Sequence, residues 1–439
     1  MTHRLTVLGT GYLGATHAAC MASLGYDVLG MDVDADKIAR LAAGELPFYE
    51  PGLEPILRKG LDSGKLSFTT SYADAGAFGD VHFICVGTPQ RADSNAADMR
   101  YVDAVVEGIA PHLRPGAHVV GKSTVPVGTA ERLAGQLAEL APAGVELSWN
   151  PEFLREGFAV EDTLRPDRLV FGVQPGGSAA SVLREVFAPV TEQAQCPVVV
   201  MDLASAQLVK VAANAFLATK ISFINAMAEV CEATGADVKK LSEALSHDTR
   251  IGGRFLHAGL GFGGGCLPKD IRAFMARAEE LGVEQALSFL SEVDAINLRR
   301  RARMVDLARE QVGGNFSGTR VGVLGAAFKP NSDDIRDSPA LDVAATILGE
   351  GAAVTVYDPA AVDNARRKHP ELAFATSAVD AARDADVVLH LTEWSEFKDM
   401  DPAVLSEVVR VKHIVDGRNA LDPARWRAAG WTYRALGRP

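Results

Sequence analysis

Cys266 stands where a thiol can react. It follows Gly261-Phe262-Gly263-Gly264-Gly265, in which four of five residues are glycine, and precedes Leu267-Pro268-Lys269-Asp270. A cysteine is by default a small buried hydrophobe. Here the glycines carry no side chains to shield it and are expected to leave main-chain N–H groups open to a ligand. Lys269 would favour the thiolate. These features predict a reactive sulfur rather than a structural one. Two further groups could serve it. Glu152 and Glu156, four residues apart in Asn150-Pro151-Glu152-Phe153-Leu154-Arg155-Glu156-Gly157, could act as acid, base or ligand, or form only a solvated helix start. Lys210 and Asn214, also four apart, share one face of a helix. They could hold developing negative charge, or the lysine could snorkel from the edge of an apolar helix.

A second constellation is a phosphate cradle. Gly9-Thr10-Gly11-Tyr12-Leu13-Gly14 follows the strand-like Arg4-Leu5-Thr6-Val7-Leu8 and opens a helix. In that context the first glycine allows the tight turn, the second lets a pyrophosphate approach the backbone, and the third lets helix and strand pack closely. The helix N-terminus supplies unpaired N–H groups. Asp32 ends the next strand, where its carboxylate can accept hydrogen bonds from the adenosine ribose and would repel a 2'-phosphate. This predicts NAD rather than NADP. Thr88, in Val86-Gly87-Thr88-Pro89, and Thr124, in Ser123-Thr124-Val125-Pro126, follow later strands of the same sheet; they could reach the cofactor or be plain turn chemistry.

The elements that must position these residues fall into two regions of one rhythm. Short apolar runs at Val28-Leu29-Gly30-Met31, Val81 to Val86 and Val119-Val120-Gly121 alternate with helical stretches such as Ala15 to Leu24. The pattern returns at Val321 to Gly325, Val354 to Asp358, Val387 to Leu391 and His413 to Asp416. Strands alternating with helices predict an α/β fold of two parallel, doubly wound, Rossmann-like sheets. Between them, Ser205 to Thr234 lacks Pro and Gly and keeps helical spacing, which predicts a helix of about 45 Å. A second helical block is expected from Val283 to Gln311. The boundaries expected are 1–200 for the dinucleotide-binding domain, 201–312 for a helical region carrying the cysteine loop, and 313–439 for the second Rossmann-like domain.

Composition narrows the class. A formal net charge of -12 makes non-specific binding of DNA or RNA a poor reading. Five widely spaced cysteines without a CxxC pair read as reduced thiols in a cytoplasm and give no metal site. The N-terminus runs at once into a strand, leaving no room for a signal peptide. No apolar run is expected to approach the ~18 residues of a spanning helix, so no membrane partner is expected.

Together these motifs resemble the UDP-glucose 6-dehydrogenase family, within the wider group of UDP-glucose and GDP-mannose dehydrogenases. The resemblance spans nearly the whole chain. It is carried by Gly9-x-Gly11-Tyr12-x-Gly14, Ser123-Thr124-Val125-Pro126-Val127-Gly128, Asn150 to Leu154, Lys210-x-x-x-Asn214, Arg250-Ile251-Gly252, Gly263 to Asp270, and Phe328-Lys329 with Arg336. It implies a four-electron oxidation of a nucleotide sugar's C6 alcohol to a carboxylate, with two NAD used in turn. Cys266 would attack the C6 aldehyde to give a thiohemiacetal and then a thioester, which water hydrolyses. Lys210 and Asn214 would stabilise the oxyanion, and Asp270 and Glu152, with Thr124, would manage proton transfers and the hydrolytic water. NAD contacts carried over are Gly9, Gly11, Tyr12, Leu13, Gly14, Asp32, Lys37, Thr88, Thr124, Glu156, Lys269 and Arg336.

The sugar nucleotide would meet the loop Glu152, Phe153, Leu154, Arg155 and Glu156. Its other contacts would be Lys210, Asn214, Phe255, Gly263, Phe328, Lys329, Arg418 and Arg250, the last reaching across from a second subunit. Arg155 stands where relatives vary, some carrying a small residue. The resemblance also implies two Rossmann-like domains joined by a long helix at a dimer interface, hence a homodimer or higher homo-oligomer. UDP-glucose is the leading substrate; GDP-mannose, a UDP-N-acetylhexosamine or dTDP-glucose would use the same nucleophile. A two-electron Rossmann dehydrogenase with Cys266 idle is an alternative of another class. A non-catalytic binder is disfavoured, because it needs no thiol beside a lysine and an aspartate.

Overall fold

The computed structural model describes residues 3–439 and falls into two compact units. The first covers the chain through Ala213 together with Arg272–Leu281. The second covers Asn214–Ile271 and Gly282–Pro439.

In the first unit the strands are β1 (Arg4–Leu8), β2 (Asp27–Met31), β3 (Leu66–Thr69), β4 (Val81–Ile84), β5 (His118–Gly121), β6 (Glu146–Trp149), β7 (Leu169–Gly172) and β8 (Val198–Met201). They lie in the order β3-β2-β1-β4-β5-β6-β7-β8. Neighbours run parallel except β6 and β7, which meet antiparallel where Trp149 faces Gly172. Alternate residues serve opposite faces of the sheet. Val7 and Phe83 enter one core with Phe171 and Phe187, while Leu8 and Ile84 enter the other with Val119 and Trp149. Buried on both sides by helices, such strands read as unbroken apolar runs.

The second unit holds β9 (Arg320–Leu324), β10 (Ala353–Tyr357), β11 (Ala373–Phe374), β12 (Val387–His390), β13 (His413–Asp416) and β14 (Thr432–Ala435), in the order β11-β10-β9-β12-β13-β14. Every pairing in it is parallel. Both sheets therefore reverse strand order beside their first strand, which opens a crevice at the C-terminal strand ends. The doubly wound expectation holds for both.

The long helix runs Leu203–Thr234. It begins before the expected Ser205 because Asp202 caps it, its carboxylate accepting the Ser205 N–H at 2.8 Å. The block expected from Val283 is split: Glu284–Leu287 is a 3-10 turn and the α-helix is Phe289–Gln311. One expectation fails. Among the described residues this long helix is apolar enough to cross a membrane by length and composition, because its few polar residues are diluted by Ala, Val, Leu and Phe. Several of those polar residues are buried, Lys210 and Asn214 among them.

Candidate active site

The turn after β1 is built as the glycine spacing requires. Gly9 has φ +90°, and its N–H bonds the Met31 carbonyl at 2.7 Å. A Cβ on Gly14 would collide with the Gly9 carbonyl, so helix and turn touch there. Gly11 differs, since a Cβ would meet nothing within 4 Å. That open space lies at the N-cap of the helix Tyr12–Ser23, which has no side-chain cap. Bare N–H groups beside free space suit a pyrophosphate. Asp32 follows β2 and accepts the Thr10 N–H at 2.9 Å, the Asp34 N–H at 3.1 Å and the Lys37 ammonium at 3.0 Å. Burial pushes its pKa up, but these bonds outweigh burial and hold it below the usual carboxylate range. It is thus an anion with acceptor capacity left at the strand end. Thr88 donates its hydroxyl to the Thr124 carbonyl at 2.7 Å, joining the turns after β4 and β5. The residues present fit NAD.

The loop after β6 carries the acids. Glu152 pairs with the Lys210 ammonium at 3.1 Å, both side chains nearly buried. Two cations lie over the Phe153 ring, the Arg168 guanidinium at 3.8 Å and Lys210 at 5.6 Å from its centre. Arg155 turns away to Asp162, with two bonds of 2.7 and 2.9 Å to its carboxylate, and stacks on Phe158. Glu156 is buried. Three residues that matter here were missed by sequence reasoning. Arg168 holds Phe153. Lys122, wholly inside the core, bonds Asn150 at 2.8 Å just before the loop. Glu50 accepts N–H groups from Gly157 and Ala159 at 2.7 and 2.8 Å. None has a local signature, because each acts across more than 14 residues of chain.

In the second unit Cys266 is exposed, at the head of the helix Leu267–Glu280, and its carbonyl accepts the Asp270 N–H at 2.9 Å. A helix N-terminus favours an anion there. The other thiols contrast: burial pushes Cys20 and Cys85 up to about 12. Asp270 is buried and accepts the Asn214 amide at 2.6 Å and the Lys269 ammonium at 2.5 Å. Lys269 is thus bound to the acid, while the cation lying over Gly265, next to the thiol, is Arg336.

The glycine run corrects an expectation. Gly261, Gly263 and Gly264 are buried rather than open to a ligand. Without side chains they admit a strap from the segment 326–338: Cβ atoms at 263, 264 and 265 would strike the Asp337 carbonyl, the Phe328 ring and the Arg336 guanidinium. The Gly264 N–H is spent on the Arg336 carbonyl at 2.8 Å. Asn297 fixes the near end, its amide bonding the Phe262 N–H at 2.7 Å and carbonyl at 2.9 Å.

The remaining predicted residues are spread over this unit. Arg418 donates to the carbonyls of Leu391, Gly261 and Phe328 at 2.7, 2.9 and 3.0 Å, so it staples the strap to the glycine run. Lys329 lies over Phe328 at 5.1 Å. Arg336 pairs with Asp334 at 2.7 Å and remains largely exposed. Phe255 has φ +63°, a backbone region a bulky residue rarely adopts. Arg250, with 87% of its side chain exposed, is held by Asp248 at 2.7 Å.

The dinucleotide turn and doubly wound sheet of the first unit mark an NAD-dependent oxidoreductase. Comparison with known proteins gives the family. Residues 3–191 match the NAD-binding domain of the UDP-glucose/GDP-mannose dehydrogenase family, residues 204–299 its central domain and residues 322–423 its UDP-binding domain. The chain is 40% identical over 438 residues to a UDP-glucose 6-dehydrogenase of Rhizobium meliloti, covering 99% of this chain and 100% of that one. Among solved structures, a UDP-glucose dehydrogenase from Pyrobaculum islandicum superposes with a TM-score of 0.91 at 40% identity, covering 100% of this chain and 98% of that one. A UDP-D-ManNAc dehydrogenase from Pyrococcus horikoshii gives 0.85 at 28%, with 99% of each covered. The chain belongs to the UDP-glucose/GDP-mannose dehydrogenase family.

Proposed function

We propose that the protein oxidises the C6 alcohol of UDP-glucose to a carboxylate, converting UDP-glucose, two NAD and water to UDP-glucuronate and two NADH with release of protons. The observation that carries this reading is Cys266, exposed at a helix N-terminus one turn before a buried aspartate. NAD, held at the turn Gly9–Gly14 by the helix N-terminus and Asp32, supplies the hydride acceptor. The chain's own residues do the rest. The Cys266 sulfur adds to the C6 aldehyde carbon, and its proton passes to the carbonyl oxygen as that bond opens to a thiohemiacetal. Once this adduct is oxidised, water attacks the thioester carbon and the thiolate leaves. Lys210 and Asn214, both buried on the long helix, stabilise negative charge on oxygen. Glu152, paired with Lys210, and Asp270, bonded to Asn214, are placed to take and return protons and to orient the water.

The UDP-glucose reading draws support from the 40% identity to UDP-glucose enzymes against 28% to the UDP-D-ManNAc enzyme. Phe216, Phe223 and Val230 recur every seventh residue of the long helix and are exposed; a seam of this spacing supports a homodimer. Five widely spaced cysteines without a CxxC pair support a cytoplasmic protein. The domain boundaries 1–200, 201–312 and 313–439 serve this division of labour. The test is a panel of UDP-glucose, dTDP-glucose, GDP-mannose and UDP-N-acetylhexosamines with NADH counted. Two NADH per UDP-glucose are expected. One NADH per sugar, or turnover undiminished in Cys266→Ser, would overturn the covalent reading.

A further inference from the structure

Glu50 sits in Phe48-Tyr49-Glu50-Pro51-Gly52, a segment to which the mechanism assigns nothing. It is a carboxylate 4% exposed. Buried carboxylates persist only when their lone pairs are filled, and these are. One oxygen accepts the Ala159 N–H at 2.8 Å. The other accepts the Gly157 N–H at 2.7 Å and is bonded by the Tyr12 phenol. The Tyr12 oxygen in turn accepts from the same Gly157 N–H at 3.0 Å. Two parts of the chain far from Glu50 in sequence therefore converge on its side chain. Tyr12 is the first residue of the helix that opens at the glycine turn. Gly157 directly follows Glu156 and has φ +80°, so the loop carrying Glu152 and Glu156 ends in a turn held by this carboxylate. The Tyr12 ring is further set by Phe48, centroids 5.0 Å apart.

We infer that Glu50 is a positioning residue that, through the Tyr12 phenol and the Gly157 and Ala159 amides, couples the glycine-turn helix to the acid-bearing loop. Cofactor seated at that helix N-terminus then fixes Glu156, and through the loop Glu152, before the sugar arrives. Burial, followed by the bond to Glu50 and its charge, raises the Tyr12 pKa far above the usual phenol range. The phenol thus stays a donor.

The inference rests on the functional reading for what the loop does, but its test does not need turnover. Amide hydrogen exchange is measured on the full-length protein, with and without NAD. In the wild type NAD should slow exchange at Gly157 and Ala159 by about tenfold, the scale of one hydrogen bond gained in strength or lifetime. Tyr12→Phe keeps Glu50 on both amides yet removes the link. Their protection without NAD should persist, and the slowing should be absent at NAD concentrations that fluorescence titration shows to saturate the variant, whatever its affinity. In Glu50→Gln one side-chain oxygen still accepts but the NH2 cannot, so exchange at one of the two amides should rise about tenfold while amides of β1 and β4 are unchanged. The kinetic counterpart is a double-mutant cycle. Glu50→Gln should lower kcat about tenfold alone but less than about threefold in a Glu156→Gln background, with KM for the sugar little changed. The inference is overturned if NAD slows those amides equally in Tyr12→Phe, or if Glu50→Gln loses the same factor in both backgrounds. A wild type that makes no NADH from any nucleotide sugar would defeat the functional reading and leave the exchange result standing.

Discussion

The two sheets begin with the same device and use it differently. Gly9 after β1 and Gly325 after β9 both have positive φ, and each donates its N–H across to the end of the neighbouring strand, to Met31 and Tyr357, at 2.7 Å. An aspartate comes next after each neighbour: Asp32 and Asp358. In the first unit the helix opens at once with Tyr12, Gly11 leaves space, and Asp32 keeps capacity to accept. In the second, Ala326 and Ala327 stand in place of Thr10 and Gly11, and both are buried. Asp358 accepts N–H groups from Ala326, Ala327, Ala360, Ala361 and the Trp394 indole at 2.8 to 3.1 Å. It has nothing left for a ribose. The strap 326–338 is inserted before the helix Pro339–Gly349 and covers the glycine run. A shared frame therefore does not fix a shared ligand; two side chains at the turn, and the length of chain between that turn and its helix, decide it.

The largest effect that would break this comparison is chemical. Cys266→Ala should lower NADH formation by about a thousandfold or more while NAD binds the first unit unchanged, read by fluorescence titration. Next, Gly11→Val should fill the open face above the first turn. NAD affinity should fall about a hundredfold with little change in unfolding, since the Cβ at this position meets no protein atom within 4 Å. The two aspartates should then part company. Asp358→Ala strands several buried N–H groups and should cost about 3 kcal/mol of stability in denaturant titration, with NAD affinity intact. Asp32→Asn should cost NAD affinity about tenfold and stability less.

The smallest effect is in pH. His17 and His82 in the first unit are buried; burial lowers both, His17 well below 6.5 and His82 to about 4. Folded, they stay neutral where the unfolded chain takes up protons. Stability they contribute is therefore present above 6.5 and lost as pH falls from there towards 4. In the second unit Asp416 is buried, which raises its pKa, but His390 and main-chain donors outweigh this and hold it below 3.8. Its contribution is lost only as pH falls below that value. Exchange of β1 and β4 amides should thus accelerate between pH 6.5 and 4.5, before those of β9 and β12. The reverse order would break the distinction.

How much was legible in the residues alone depended on range. The glycine turn, Asp32 and both strand rhythms are local patterns, set by φ, burial and period, and each appears where its spacing predicts. The cysteine loop was half legible. Its exposed thiol is a consequence of its neighbours, but the burial of its glycines is not, because the strap that covers them starts some 60 residues later. Glu50, Arg168 and Lys122 were invisible for the same reason: a carboxylate, a guanidinium and an ammonium read as surface charge until the fold brings their partners. Arg418, expected at the ligand, also binds three main-chain carbonyls, and nothing local announces that second task.

The strap over the glycines sets a tolerance measured in single methyl groups. Since residues 263 and 264 have no room for a Cβ, the sulfur's resting point is dictated from beyond its own stretch of chain, by Phe328 and Asp337. Enlarging a distant residue such as Phe328 should therefore blunt the thiol as surely as editing its immediate neighbours, and a search for inactivating changes confined to the cysteine's vicinity would overlook half of what governs it.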